Sequence, residues 1–265
     1  MSRDGISIIL PVLNEARNLE LLIPDLYRVS EKYFKTVEVV VVDDNSTDNT
    51  QEVISQFQNQ NYQILYLLRT INNSLPDSIY EGIEISSNSI VLWLDADGSM
   101  DAESVEKLIL NYKRNTNHVY VGSRFVKDGG YKGSSIRNKS GFIKSLISLL
   151  NSEDSILAIF LSRVFNYILN LLLNVGVKDL TSGFVLGNKE YFEESMFRNH
   201  FYGEYFIDVI VNLHLNNIDI IEVGYYCKIR KFGVSKSSTN IFRMMRLSKH
   251  YFKVSLRARK KLYEN

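Results

Sequence analysis

Cysteine is nearly absent from this chain: Cys227 is the single one among 265 residues. No internal disulfide can form, a cysteine-built metal site is excluded, and a reducing compartment is the expected setting. Proline is scarce as well, and no low-complexity tract occurs, which argues against long disordered linkers. No basic-then-apolar leader opens the sequence, because residues 1 to 10 are too short and run straight into a strand pattern. No glycine-rich loop followed by lysine stands near the N-terminus, which turns the reading away from a sugar nucleotidyltransferase. Acid is missing from one stretch: Lys228 to Lys261 holds twelve Lys and Arg and no Asp or Glu.

What is present suits a folded protein with a full core, 45% hydrophobic and 23% charged. The length suits one large domain or two small ones. A net charge of +1 conceals a split, since residues 1–227 carry a net −10 and residues 228–265 a net +11. Such a basic tail seeks anions: nucleic acid, anionic lipid or phosphate. The acidic body and the lack of an aromatic-basic platform argue against nucleic acid.

Apolar runs set the fold class. Ile6 to Leu10, Val37 to Val42, residues 62–68 and residues 89–94 read as strands apolar on both faces, which a parallel sheet covered on both sides demands. Helical patterns lie between them: Asn14 to about Lys35, one from about Asp48, a short one in "DSIYEGIEISS", and "DAESVEKLILNYKRN". Residues 118–124 make a fifth strand. This alternation predicts an α/β fold, a mostly parallel central sheet flanked by helices. Ligands of such sheets bind at the carboxyl ends of strands, which gathers Asn14, Asp43, Asp44, Asp95 and Asp97 around one crevice. Beyond Phe125 come a Gly-, Ser- and Lys-rich loop, an apolar helix over 156–175, strands in "FVLGN" and "IDIIEVGYY" around a helix at 204–216, and a last helix from about Thr239 to Leu262.

The chemistry centres on "WLDADGSMD". Asp95 and Asp97, one residue apart at a strand end, can both face one hard cation; Mg²⁺ or Mn²⁺ takes oxygen ligands and bridges phosphates. Alone, such a pair is more simply a turn capping the helix that begins near Asp101. Asp43 can accept from a ribose or a base edge, Ser46 and Asp48 can cap the next helix, and Glu15 can be a first-turn helix acid. In "RKFGVSK", Arg230 offers a planar fork to phosphate oxygens, Lys236 a point charge, and Gly233 a tight turn. Read alone it is an ordinary basic turn; behind the aspartate pair, phosphate contact is the better reading.

The segments "ILPVLNEARNL", "VVVDDNSTDNT", "WLDADGSMD", "VGSRF", "DLTSGF" and "RKFGVSK" resemble, in order and spacing, those of family 2 glycosyltransferases, and within them the dolichyl- and polyprenyl-phosphate sugar transferases of the dolichol-phosphate mannose synthase group. The resemblance covers about residues 5 to 240. It implies a GT-A type nucleotide-binding fold over 1–238, with a nucleotide-sugar half (1–124) and an acceptor half (125–238), followed by a basic amphipathic helix (239–265). It also implies a divalent cation, a nucleotide-diphosphate sugar donor and inversion at the anomeric carbon. Pro11, Asn14 and Glu15 match the first nucleotide-binding segment, Asp43 the acid at the nucleoside, and Asp95 and Asp97 the metal and diphosphate motif. Arg124, Arg163, Ser182 and Ser235 match acceptor-phosphate positions, Arg230 and Lys236 a phosphate-gripping loop, and Asp208 a late helix acid. Two departures stand out. Residues 71–79, "INNSLPDSI", hold no Gly-Lys-Gly-Leu-Gly run, and segment 126–162 is longer than the family's acceptor loop.

A lipid phosphate is already ionised at neutral pH and needs no strong base; a sugar hydroxyl needs one, for which Asp208 is the candidate. Glu204, one turn earlier, reads as a solvated helix acid. Arg163, Asn166, Asn170 and Asn174 form one polar stripe on an otherwise apolar helix. That stripe makes spanning a membrane costly, and leaves either a helix whose apolar face meets lipid or a core helix with a solvent stripe. Arg243, Arg246, His250, Lys253, Arg257 and Lys260 share a face of the last helix, which suits an anionic membrane surface. The expectation is a peripheral enzyme on the cytoplasmic, inner face of a membrane, acting in cell-envelope assembly, with room for a separate membrane partner protein. The rivals are a family 2 transferase acting on a sugar hydroxyl and an inactive nucleotide-binding, membrane-docking module.

Overall fold

The computed structural model describes residues 5–70, 73–131, 156–228, 230, 232 and 241–264. Its elements run β1 (Gly5–Val12), α1 (Ala16–Ser30), β2 (Thr36–Asp43), α2 (Thr50–Asn59), β3 (Ile64–Leu68), α3 (Leu75–Ile85), β4 (Ile90–Trp93), α4 (Ala102–Arg114), β5 (Val119–Ser123) and β6 (Gly130–Tyr131). Then follow α5 (Ile156–Leu173), β7 (Val185–Asn188), α6 (Tyr205–Leu215), β8 (Ile220–Gly224), β9 (Tyr226–Cys227) and α7 (Ile241–Glu264).

Seven strands form one sheet in the order β3-β2-β1-β4-β7-β5-β8, and β6 pairs with β9 in a small second sheet. All neighbours in the large sheet are parallel except β7, which runs antiparallel to both β4 and β5. The sheet draws strands from both sides of residue 124, so the two expected halves share one core. The sequence pattern located the strands; the insertion of β7 between β4 and β5 is a long-range pairing that no local pattern carries.

Alternation along each apolar strand divides the core into two layers. Ile6, Ile8, Leu10, Val39, Val41, Ile90 and Leu92 pack against Leu19, Ile23 and Leu26 of α1, Ile54 of α2, and Leu108 and Ile109 of α4. Ile9, Val40, Val42, Val91 and Trp93 face Ile79 and Ile83 of α3, Leu169 of α5, Phe206 and Ile210 of α6, and Ala258 of α7. Gly82 of α3 sits so close to β1 that a Cβ there would lie 2.5 Å from Ile9 Cγ2. Pro11 lies past the last β4 partner of β1, which is Ile9, so its missing N–H costs no bond on that side. The first helix ends at Ser30 and not near Lys35.

The chain leaves β1 for β2 and β3 on one side, then returns to place β4 on the other. β1 and β4 therefore flank the point where strand order reverses, and the crevice at their carboxyl ends is where such sheets take ligands.

Candidate active site

The loops after β1 and β2 are stapled together. Asn14, at φ 60°, accepts from Thr47 N at 2.7 Å, and its own N–H donates to Ser46 Oγ at 2.8 Å. Asp48 Oδ2 accepts from Ala16 N, the first residue of α1, while Oδ1 accepts from Thr50 N. Ser46 thus serves the β1 loop and not the α2 cap, and Asp48 serves both helices. Asp43, buried at the end of β2, accepts from Ser46 N at 2.8 Å and from Tyr66 Oη at 2.8 Å. Its neighbour Asp44 is also buried and pairs with Arg69, which reaches Glu81 and Ser78 as well. Asp44 is therefore a structural anchor for α3.

The strand β4 ends directly in the aspartate pair. Gly98, at φ 76°, makes the turn, and Asp97 Oδ1 accepts from Ser99 N at 2.8 Å. Capping of α4 falls to Asp101, whose Oδ1 accepts from Ser104 N at 2.9 Å. The pair therefore does not cap α4, and Asp97 Oδ2 is not used by its own turn. Asp97 Oδ2 meets Arg230 Nη2 at 2.7 Å, and Glu15 Oε1 lies 3.8 Å from Arg230 Nη1. Asp95 is pushed up to about 7, first by burial, then by the charge of Asp97, with Arg230 and Arg124 pulling the other way. Two oxygen donors with an excess of negative charge fit a hard divalent cation. Among the described residues no group of three or more His, Cys, Asp or Glu is placed to hold a metal ion by itself. A cation held by Asp95 and Asp97 would complete its shell with diphosphate oxygens and water.

A family model described as Glycosyl transferase family 2 matches residues 7–196. The chain belongs to glycosyltransferase family 2. Its sequence is 32% identical over 124 residues to a dolichol-phosphate mannosyltransferase of Pyrococcus furiosus, covering 47% of this chain and 34% of that protein. It is 28% identical over 141 residues to a poly-beta-1,6-N-acetyl-D-glucosamine synthase of Staphylococcus epidermidis, covering 53% of this chain and 31% of that one. These matches span about a third of the relatives' own lengths. The solved glucosyl-3-phosphoglycerate synthase of Mycobacterium tuberculosis, in complex with Mn²⁺, uridine diphosphate and phosphoglyceric acid, superimposes with a TM-score of 0.65 at 14% identity. That likeness covers 97% of this chain and 79% of the other, and shows the GT-A fold.

Several positions that the family resemblance had assigned to the acceptor hold the fold together. Arg124 Nε donates to Asp179 Oδ2 at 2.8 Å, and Nη2 donates to Asp179 Oδ1 at 2.7 Å and Thr181 Oγ1 at 2.8 Å. Asp179 is fully buried. Ser182 Oγ donates to the carbonyl of Gly122 in β5, and Gly183, at φ 68°, turns the chain into β7. "GSR" and "DLTSGF" are therefore the two halves of one buried latch, so Arg124 and Ser182 have structural partners beside the acceptor-phosphate role that the resemblance implies. Arg163 is exposed on α5, and Ser235 and Lys236 lie outside the described residues.

The helix α5 turns the middle of its polar stripe inward, while Arg163 and Asn174 at the two ends are exposed. Asn166 is buried; its Oδ1 accepts from Leu180 N at 2.8 Å and its Nδ2 donates to Thr181 Oγ1 at 3.0 Å. Asn170 Nδ2 donates to the Lys178 carbonyl at 3.1 Å. Phe160, Val164, Tyr167, Ile168 and Leu171 are exposed, Leu171 by 67%. The two middle asparagines thus grip the latch and its approach while several large apolar side chains lie outside, which does not match a core helix with a solvent stripe. Among the described residues no helix is long and apolar enough to cross a membrane.

Asp208 does not join the aspartate pair among its described contacts. Its Oδ2 pairs with Arg257 of α7 and lies 3.0 Å from His200 Nε2. Glu204 is not solvated: it is buried and accepts from Phe201 N at 2.6 Å and Tyr202 N at 3.0 Å. Asp208 was read from the family resemblance and Glu204 from its helix position, and neither reveals what packs over the helix. Lys228 was not singled out from sequence, yet it ties β9 to the site: its N–H donates to Ser99 O at 2.9 Å and its ammonium pairs with Asp101.

Proposed function

We propose that the chain is a divalent-cation-dependent, inverting glycosyltransferase that moves a hexose from a nucleotide-diphosphate sugar to a polyprenyl (dolichyl-like) phosphate at a membrane surface. The observation that carries the reading is the convergence of Asp95, Asp97, Glu15 and Arg230 at the switch point of a GT-A sheet. Asp95 and Asp97 would hold the cation, whose charge would offset that of the departing nucleoside diphosphate. Arg230 gives its fork to a phosphate oxygen, and the resemblance adds Lys236 as a second cation and Ser235 as a donor. Pro11, Asn14 and Asp43 border the nucleoside. The solved relative's complexes with Mn²⁺ or Mg²⁺ and uridine diphosphate support the donor class.

Two observations favour a phosphate acceptor over a sugar hydroxyl. Asp208, the base that a hydroxyl would require, is engaged by Arg257 and His200. An exposed apolar helix face suits an acceptor drawn from a bilayer, and dolichol-phosphate mannosyltransferases are among the relatives. The exposed cations of α7 suit the anionic inner leaflet. The test is a transfer assay with polyprenyl phosphate in vesicles, run beside thermal-shift titrations of nucleotide-diphosphate sugars with Mn²⁺ and with chelator. The expected result is stabilisation by one donor that chelation abolishes, and label appearing in the lipid. Donor hydrolysis or transfer only to a saccharide hydroxyl would reject the acceptor.

A further inference from the structure

Arg230 occupies the place where the proposed cation should act. Its Nη2 is 2.7 Å from Asp97 Oδ2, the oxygen left over after Ser99 N has taken Oδ1. Glu15 Oε1 lies 3.8 Å from its Nη1, and the Arg230 charge also acts on Asp95, so one positive group serves an acidic cluster. The described residues on either side of Arg230, Lys228 and Phe232, are both fastened near the site. On one side Lys228 is tied to Ser99 and Asp101, immediately after the aspartate pair. On the other, the Phe232 carbonyl accepts from Asn18 Nδ2 at 3.3 Å, and the Arg17 guanidinium lies 5.9 Å over the Phe232 ring.

We infer that Arg230 is a stand-in for the cation: it neutralises the carboxylates in the unloaded enzyme and exchanges Asp97 for the donor's diphosphate when the metal enters. The inference rests on the donor-site reading above and adds a competition to it. A divalent ion on Asp97 Oδ2 and a guanidinium on the same oxygen would repel at close range with little water between them. A phosphate oxygen is the natural new partner, because Arg matches phosphate as well as carboxylate. The anchors at Lys228 and Phe232 keep the group within reach of both. Metal alone must therefore bind against Arg230, and metal with diphosphate must bind with its help.

The experiment compares wild type with Arg230→Met and Arg230→Lys, titrating MnCl₂ alone by calorimetry, then uridine diphosphate at saturating Mn²⁺. Arg230→Met should bind Mn²⁺ alone about tenfold more tightly than wild type and the diphosphate about tenfold more weakly, with Arg230→Lys between them. Without metal, Arg230→Met should melt below wild type, and Mn²⁺ should raise its melting temperature by more. Unchanged or weaker Mn²⁺ binding to a folded Arg230→Met would overturn the inference. So would tight Mn²⁺-independent diphosphate binding by wild type, for then Arg230 replaces the metal permanently. If the Mn²⁺ result holds but no nucleotide diphosphate binds, the donor reading fails and the stand-in survives.

Discussion

At the scale of single residues, the aspartate pair is a site of stored electrostatic cost. Asp95 ionises near 3.8 in an unfolded chain but only at about 7 here. Between those values the folded state holds the extra proton, so stability falls as pH rises through that window, and the cost is fully present above about pH 7. Asp95→Asn should therefore raise the metal-free melting temperature at pH 8 by about 3 °C or more and leave it unchanged near pH 4. Calorimetry at the two pH values checks this; an equal gain at both would mean that packing, not charge, is responsible. Asp97→Ala should lose diphosphate binding in Mn²⁺ altogether, read by the same titrations. Asp179 lies at the other extreme. Its partner Arg124 is mostly buried, so Asp179→Ala leaves a cation without its counter-charge and should cost ~3 kcal/mol in urea unfolding.

At the scale of elements, the sequence was most legible where one local rule decides the outcome. The valine run of β2 and the apolar run of β4 announced buried parallel strands, and the acids at their ends announced the crevice. It was least legible where a residue's partner lies far along the chain. Nothing near Ser182 points to the Gly122 carbonyl, and nothing near Asn166 points to Leu180 N. A stripe of Asn on an apolar helix is symmetric as a pattern: periodicity tells that two faces differ, not which one looks inward. Substitution separates the two faces of α5. Asn166→Leu removes the acceptor for a buried N–H and should cost ~1–3 kcal/mol. Leu171→Gln, on the exposed face, should leave unfolding within ~0.5 kcal/mol of wild type. The same change should weaken flotation with vesicles, whereas equal flotation would take α5 out of the membrane contact.

At the scale of the whole molecule, the split of −10 against +11 becomes spatial. The acidic portion includes β1 to β8, and the basic portion ends in α7, whose buried side chains among the described residues are Val254, Ser255 and Ala258. Arg257 and Lys261 are partly spent on Asp208 and Asn212, so the helix is fastened to α6 by its own cations. Lys249, Lys253, Arg259 and Lys260 remain exposed. Near an anionic bilayer each contributes about 1 kcal/mol, and that contribution fades as the screening length shortens from ~10 Å at 0.1 M salt to ~3 Å at 1 M. The apolar face of α5 contributes by burial, which added salt does not screen. The two contributions therefore separate in one experiment, flotation on anionic vesicles across a salt series. Lys249→Glu with Lys253→Glu should lower binding at low salt and flatten the salt slope. Leu171→Gln should lower binding at every salt concentration and leave the slope as it is. If neither variant changes binding, or if wild type fails to float on anionic vesicles at low salt, the lipid is not met by this surface, and an acceptor drawn from a bilayer loses its route to Asp97.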